Sequence, residues 1–128
     1  MKKLSISDVL LSLTLLAPAS NATESRFFEV WQCSLREGAT MEAITKANAR
    51  WLRFVNKALP KARITTGTVT AVVGDYTSFS IIDSYPDMQV WAKTKKALET
   101  DEGEVAGGGL DGVLDCTGNT LQNYVPSE

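Results

Sequence analysis

The sequence predicts an α+β domain whose four strands and two helices follow the order βαββαβ. Period-two alternation of apolar residues indicates strands near both ends of the chain and in a central hairpin. Two stretches with apolar residues three and four positions apart indicate amphipathic helices between these strands. Such a split β-α-β unit forms one antiparallel sheet with both helices on one face, and its first and last strands are neighbours.

The first strand is predicted over residues 27–35, where Glu29, Trp31 and Cys33 share one face. Both faces of this strand carry large apolar residues, so both are expected to be covered at least in part. Thr40 is the predicted N-cap of a helix that runs to about residue 59 and ends before Pro60. Its inner stripe is predicted to contain Met41, Ile44, Asn48, Trp51, Leu52, Val55 and Leu59.

The second half of the chain is predicted to repeat this arrangement. Strands over residues 64–73 and 76–83 form the central hairpin, and residues 84–87 open the second helix with Pro86 in its first turn. Residues 100–112 are expected to form a flexible, acidic, glycine-rich connection. The last strand is predicted over residues 113–117, and residues 118–124 either extend it or form a terminal arm. The second helix is expected to turn Val90, Trp91, Thr94, Ala97 and Leu98 inward and Lys93, Lys95 and Lys96 outward.

The N-terminus has the pattern of a bacterial signal peptide. Lys2 and Lys3 supply the positive start, residues 9–16 a short apolar run, and residues 20–22 a small-residue cleavage site. The apolar run is too short to remain as a transmembrane helix. We therefore expect residues 1–22 to be removed, residues 23–128 to form one domain without a membrane anchor, and the protein to be periplasmic or secreted.

The two cysteines, Cys33 and Cys116, are predicted to form a disulfide. Thiols that reach an oxidising compartment pair, and two cysteines permit only one bridge. They lie on the first and last predicted strands, which the topology brings together. The bridge would close most of the mature chain, and the chain-entropy treatment puts its contribution at roughly 4.5 kcal/mol.

Two segments resemble the dimeric α/β barrel superfamily, whose domains are ferredoxin-like. Residues 28–38, a strand that ends in Leu-x-x-Gly before an amphipathic helix, are similar to the start of these proteins. Asp83-Ser84-Tyr85-Pro86-Asp87, which leads to Trp91, is similar to their third strand and second helix. The superfamily includes antibiotic-biosynthesis-type monooxygenases and haem-degrading enzymes. The resemblance implies a homodimer that forms through the sheet face opposite the helices.

Composition excludes several kinds of site. The chain has no histidine, which removes the usual metal ligand, the usual general base and the haem ligand of the haem-degrading relatives. Paired cysteines are not nucleophiles or zinc ligands. Removal of the signal peptide leaves eleven basic and fourteen acidic residues, so no basic footprint for nucleic acid remains.

Two patterns in the glycine-rich segment resemble cofactor or metal sites. Residues 107–112 match G-x-G-x-x-G, but they follow a helix and enter a strand, which is the reverse of a dinucleotide site. Acidic residues from Asp101 to Asp115 could gather around calcium, although their spacing is not that of an EF-hand. We predict no cofactor and no metal.

Asn48 is the leading candidate for a site residue, because a buried amide on an apolar helix face must find a hydrogen-bonding partner. That partner is the protein backbone, a water molecule or a ligand held between helix and sheet. Asp83 and Asp115 are the acid–base candidates, and burial beside aromatic rings would raise the pKa of Asp83. The predicted ligand-binding residues are Asn48, Trp31, Trp51, Asp83, Tyr85 and Trp91; the aromatic residues among them could equally form plain core.

Two functions remain open at this point. The first, which the absence of histidine and of a free thiol favours, is a small exported domain that acts by ligand binding or homo-association. The alternative is a cofactor-independent monooxygenase-like enzyme that acts on a flat aromatic substrate between the first helix and the sheet. The two differ in one structural respect. An enclosed pocket in which Asn48 and a carboxylate converge favours the enzyme, and a filled core favours the binding domain.

Overall fold

The computed structural model describes residues 26–74 and 77–127. The predicted signal peptide, residues 1–22, and Tyr76, the first residue of the predicted third strand, lie outside the described residues. The elements are β1 Arg26–Leu35, α1 Met41–Ala58, β2 Thr65–Thr70, β3 Ser78–Tyr85, α2 Met88–Leu98, α3 Asp101–Gly107 and β4 Leu114–Tyr124. The predicted order of strands and helices is therefore confirmed, with one helix added.

The strands form one antiparallel sheet in the order β2-β3-β1-β4, so β1 is central and pairs with both β3 and β4. Cys33 on β1 lies opposite Cys116 on β4, and the two are joined by a disulfide, as predicted. The register between these strands shifts next to the bridge, between Gln32 and Cys33. Beyond this shift β4 continues beside β1 to Tyr124, which makes residues 118–124 an extension of the strand.

Helix α1 begins and ends where the sequence predicts. The Thr40 side chain accepts a hydrogen bond from the Ala43 amide and caps the first turn. The buried face of α1 consists of Ile44, Ala47, Asn48, Trp51 and Val55. Ile44 packs against Cys33 and Phe79 in one core cluster, and Val55 packs with Tyr85 in a second.

The boundaries predicted around the central hairpin are wrong by several residues. β2 already ends at Thr70, and Val72 and Val73 lie beyond it with most of their surface exposed. β3 extends to Tyr85, because Ser84 and Tyr85 pair with β1 and are buried. Pro86 consequently lies outside α2. The helix begins at Met88, where the Asp87 side chain accepts a hydrogen bond from the Val90 amide.

The prediction of a flexible connection over residues 100–112 is also wrong, since Asp101–Gly107 forms α3. The Thr100 hydroxyl accepts a hydrogen bond from the Gly103 amide, and three acidic residues in the first turn complement the helix dipole. A Cβ at Gly103 would lie 2.6 Å from the Leu98 Cα. This glycine therefore lets two helices pack closely and does not mark a flexible loop. No helix in the described part of the chain is long and apolar enough to span a membrane.

Candidate ligand-binding cavity

Two carboxylates face each other across the central strands. Glu29 on β1 is the direct partner of Asp83 on β3. Both lie on the sheet face that α1 and α2 cover, and their exposed fractions are only 2% and 7%. Like charges directly opposite each other on neighbouring strands destabilise a sheet, so the charge of each carboxylate costs stability unless other groups compensate for it.

Glu29 is held by three donors from three different elements. The Lys95 ammonium lies 2.5 Å from its Oε2, and the Tyr85 hydroxyl donates to the same oxygen at 3.3 Å. The Asn119 side-chain amide donates to Oε1 at 3.0 Å. The prediction that Lys95 points outward with its neighbours on α2 is therefore wrong, because the buried Glu29 carboxylate attracts it inward.

Among the described residues, no cation forms an ion pair with Asp83. Burial raises its pKa from 3.8 to about 6. The Thr66 hydroxyl lowers the pKa of Asp83, although this hydroxyl makes no hydrogen bond of good geometry. The nearby Glu29 carboxylate raises the pKa further. The Lys95 ammonium and the Trp31 indole lower the pKa without offsetting burial. Asp83 thus exchanges a proton close to neutral pH, as a general base must.

Tyr85 is fully buried. Burial, followed by the charges of Asp83 and Glu29, raises the pKa of its phenol far above the usual range. The hydroxyl therefore stays protonated and serves Glu29 as a donor. Tyr85 therefore stabilises the Glu29 carboxylate and is not among the residues that line the cavity described next.

A cavity of about 670 Å³ lies between the sheet and the helices, next to Asp83. One wall is apolar and carries the indole rings of Trp31 and Trp51 together with Ile81, Leu98, Leu110 and Leu114. Asn48, Asp83 and Lys95 form a polar group on the lining, and Cys116 brings the disulfide to the wall. A large apolar space with a few convergent polar groups and a perturbed carboxyl is typical of ligand sites.

The rim of the cavity carries an exposed ion pair. Arg36 lies 2.7 Å from Asp115, and both side chains are about half exposed. Arg36 also donates to the Leu114 carbonyl oxygen at 3.2 Å, which fixes it to β4. Asp115, the second acid–base candidate of the sequence, is therefore a rim residue that contacts solvent.

The side chain of Asn48 makes one long hydrogen bond to the described part of the protein. It is 8% exposed, and its amide nitrogen reaches the Thr68 hydroxyl only at 3.5 Å, the outer limit of a hydrogen bond. A buried amide has two donors and a carbonyl acceptor. The bond to Thr68 uses one of these donors, and Asn48 is among the residues that line the cavity.

Of the six predicted ligand-binding residues, four line the cavity: Trp31, Asn48, Trp51 and Asp83. Tyr85 lies behind them, and Trp91 places its ring 5.9 Å from the Lys95 ammonium. The Trp91 indole nitrogen is buried and has no hydrogen-bond partner among the described residues. In the described part of the chain, no group of three or more acidic or cysteine side chains is placed to hold a metal ion.

Sequence reasoning missed Glu29, Lys95 and Asn119. A signal for Glu29 was available, because it shares a strand face with Trp31 and Cys33, where a charge is unexpected. Lys95 lies four positions after Trp91 on α2 and so shares its helix face. Nothing in the local sequence indicates Asn119, which reaches Glu29 only because β4 pairs with β1.

No protein-family model and no curated protein sequence matches this chain. Solved structures do match its fold. SnoaB, a cofactor-independent oxygenase from Streptomyces nogalater, is 11% identical, with a TM-score of 0.51 over 81% of this chain and 95% of that one. A dimeric ferredoxin-like protein of unknown function from Thermobifida fusca is 6% identical, with a TM-score of 0.51 over 81% and 93%.

A putative antibiotic biosynthesis monooxygenase from Nitrosomonas europaea is 12% identical, with a TM-score of 0.51 over 78% of this chain and 97% of that one. The chain therefore has a ferredoxin-like fold, and the fold that the resemblance implied is confirmed. At these identities the likeness concerns the fold alone. The activity must be argued from the cavity.

Proposed function

We propose that the protein is a cofactor-independent oxygenase for a flat aromatic substrate. The observation that carries the proposal is a cavity that Asn48 and Asp83 both line, together with Trp31 and Trp51. This cavity favours the enzyme over a domain that only binds or associates, because a domain of the second kind is expected to have a filled core. The fold shared with an oxygenase, SnoaB, agrees with the proposal by analogy.

The chemistry needs only a base, a shaped cavity and dioxygen. Asp83 removes a proton from an acidic ring CH₂, and the electron pair stays on the substrate, whose carbonyl oxygen Asn48 orients by a hydrogen bond. The anion transfers an electron to dioxygen and the two radicals combine to a peroxide, which takes the proton back from Asp83. Loss of water gives the ring ketone, so one CH₂ and one O₂ become one C=O and one H₂O.

Oxygen uptake with anthrone, a tricyclic ketone with an acidic ring CH₂, tests this proposal. We expect one O₂ consumed per anthrone and a rate that rises with pH through about 6, as Asp83 becomes ionised. Asp83→Asn should lower the rate at least a hundredfold. Asp101→Asn on exposed α3 is the matched control. Binding of anthrone without oxygen uptake would contradict the oxygenase and favour a domain that only binds its ligand.

We also propose that two copies associate through the sheet face opposite the helices. Phe28 and Val30 on β1 and Ile82 on β3 lie on this face and are only half-buried in the single chain. Phe28 meets Tyr124 of β4 edge-to-face at 5.8 Å, which extends the apolar surface. A face of this kind is unusual on a soluble monomer, and the similar protein from Thermobifida fusca is described as dimeric.

Sedimentation at micromolar concentration should give twice the chain mass. Val30→Asp places a charge in the middle of the face and should yield monomers, whereas Val105→Asp, on exposed α3, should not. A wild-type protein that sediments as a monomer contradicts the proposed association.

Export is the third part of the proposal. The Cys33–Cys116 bridge supports it, because structural disulfides persist in oxidising compartments. The proposed signal peptide predicts a mature N-terminus at Thr23. Fractionation of the native bacterium, followed by N-terminal sequencing, checks both points; a full-length protein in the cytoplasm would overturn them.

A further inference from the structure

Lys95 has surroundings unlike those of the two other lysines on α2, which are exposed. Its side chain is 32% exposed, and its ammonium contacts the buried Glu29 carboxylate. The same ammonium lies 5.5 Å from the centroid of the Trp31 ring and 5.9 Å from that of Trp91, within the range of cation–π attraction. These contacts hold the positive charge beside the cavity that Lys95 lines.

The arrangement around Glu29 keeps this ammonium in place. Tyr85 and Asn119 hold the carboxylate from two other strands, so Glu29 cannot follow a moving lysine into solvent. A lysine ammonium has three N–H donors. The contact to one carboxylate oxygen leaves donors for an oxygen atom of a bound ligand.

The charges at this end of the cavity select the charge of the ligand. Glu29 and Lys95 neutralise each other, and Arg36 pairs with Asp115 on the rim. Ionised Asp83 and Asp111 are therefore the lining charges that have no ion-pair partner among the described residues. A ligand that arrives as an anion is therefore repelled. A neutral acid that gives its proton to Asp83 leaves the total charge unchanged, because the negative charge only moves from Asp83 to the ligand.

We infer that Lys95 binds the oxyanion that forms when a neutral weak acid, a phenol or an enolisable ketone, loses its proton to Asp83 in the cavity. The ligand O–H or C–H bond breaks, the proton moves to Asp83, and the electron pair ends on the ligand oxygen beside Lys95. Glu29 is the positioning residue for the ammonium. The inference rests on the proposed function, since it uses the same cavity, and adds the charge state in which the substrate enters.

The test uses 4-nitrophenol, whose phenolate has a visible absorption band that the phenol lacks. Bound probe is titrated with wild-type protein, Lys95→Met, Lys95→Arg and, as the matched control, Lys93→Met. Lys95→Met alone leaves the buried Glu29 carboxylate without its ion-pair partner. The double variant Glu29→Gln/Lys95→Met is therefore included. It removes the ion pair without a change in net charge. Affinities for 2-naphthol, 2-naphthoate and 2-naphthylammonium are measured beside these titrations.

We expect the ratio of bound phenolate to bound phenol to fall about tenfold in Lys95→Met and in the double variant, a one-unit change in the pKa of the bound phenol. The ratio should be unchanged in Lys93→Met and largely kept in Lys95→Arg. We also expect wild-type protein to bind 2-naphthol more tightly than either charged analogue. This profile without oxygen uptake from anthrone would sustain the inference and refute the oxygenase.

The inference fails on any of three results. The double variant could keep the wild-type ratio, 2-naphthylammonium or 2-naphthoate could bind more tightly than 2-naphthol, or no phenol could bind to the wild-type protein. In the first case, oxygen uptake from anthrone that persists in the wild-type protein would leave the oxygenase standing without an oxyanion role for Lys95.

Discussion

The inner face of the two central strands has an apolar half and a half that contains a pair of carboxylates; we call the second one the polar half, although its last pair is Phe27 and Tyr85. Towards one end, Cys33 lies opposite Phe79 and Trp31 opposite Ile81. One step further along, Glu29 lies opposite Asp83. All of these residues belong to the same strands, the same face and the same alternation, so secondary structure does not distinguish the two halves.

The two halves differ in what they contribute to the free energy of folding. The apolar pairs contribute stability in proportion to the surface that they remove from water. The two carboxylates lose their hydration on burial and repel each other, and only Glu29 has an ion-pair partner. A sequence selected for stability alone would place apolar residues at both positions. Burial of the two carboxylates agrees with the proposed function, and removal of the Asp83 charge should change stability in the opposite direction from truncation in the apolar half.

The largest loss is expected on removal of the disulfide that anchors the apolar half. The double variant Cys33→Ala/Cys116→Ala should lower the free energy of unfolding by roughly 3–4 kcal/mol, because the bridge links residues 83 positions apart and restricts the unfolded chain. Urea unfolding measures the loss, and reduced wild-type protein should behave like the variant. Two alkylatable thiols in the unreduced wild-type protein would contradict the premise.

Ile44→Ala should give the next largest loss, about 3 kcal/mol, because Ile44 is fully buried in the apolar cluster and truncation leaves a void. The exposed Val105→Ala is the control and should change stability by less than about 0.5 kcal/mol. Ile44 does not line the cavity, so affinity for 2-naphthol should be retained. Equal losses in the two variants would mean that the cluster is not a packed core.

In the polar half, Asp83→Asn should stabilise the protein at neutral pH. The pKa of Asp83 is about 6 in the folded protein against 3.8 ordinarily. Between these values the folded state retains a proton that the unfolded state has lost, so stability falls as the pH rises through this window and stays low above it. Asn does not titrate, and the variant should gain about 2–3 kcal/mol at pH 7 and nothing below pH 3.5.

Urea unfolding of wild-type protein and Asp83→Asn from pH 3.5 to pH 8 tests the sign. The difference between the two proteins isolates Asp83 from every other titrating group. Asp101→Asn, at an exposed position in the first turn of α3, should not gain stability at neutral pH, because the charge there complements the helix dipole. A difference that does not change with pH would mean that the Asp83 carboxyl is hydrated and unperturbed.

The apolar half could be predicted from the sequence almost completely. The alternation around Cys33, the stripe around Ile44 and the count of two cysteines each follow from period or number, and the structure confirms them. Helix α3 was missed because glycine is usually read as a loop signal. At Gly103 glycine is instead needed for close helix packing.

The polar half could be predicted only in part. Asp83 and Asn48 are conspicuous because each is a polar residue in an apolar pattern. The partners of Glu29 come from α2, β3 and β4, and contacts between elements so distant in sequence depend on the register of the sheet. Lys95 was placed on the outer face since lysine is rarely buried. Its inward position follows only from a carboxylate that sits in the sheet far away in the chain.

The smallest effect on stability, and the sharpest on binding, is expected for Asn48→Ala. A well-bonded buried amide would cost about 1–3 kcal/mol on removal, but the bond from Asn48 to Thr68 is long and alanine is the better helix former. We expect a loss below about 1 kcal/mol in urea unfolding, together with at least a tenfold loss of affinity for 2-naphthol in tryptophan-fluorescence titrations. The exposed Lys46→Ala on α1 is the control. A large loss of stability with unchanged affinity would make Asn48 a structural residue and leave Asp83 and Lys95 without an amide partner in the cavity.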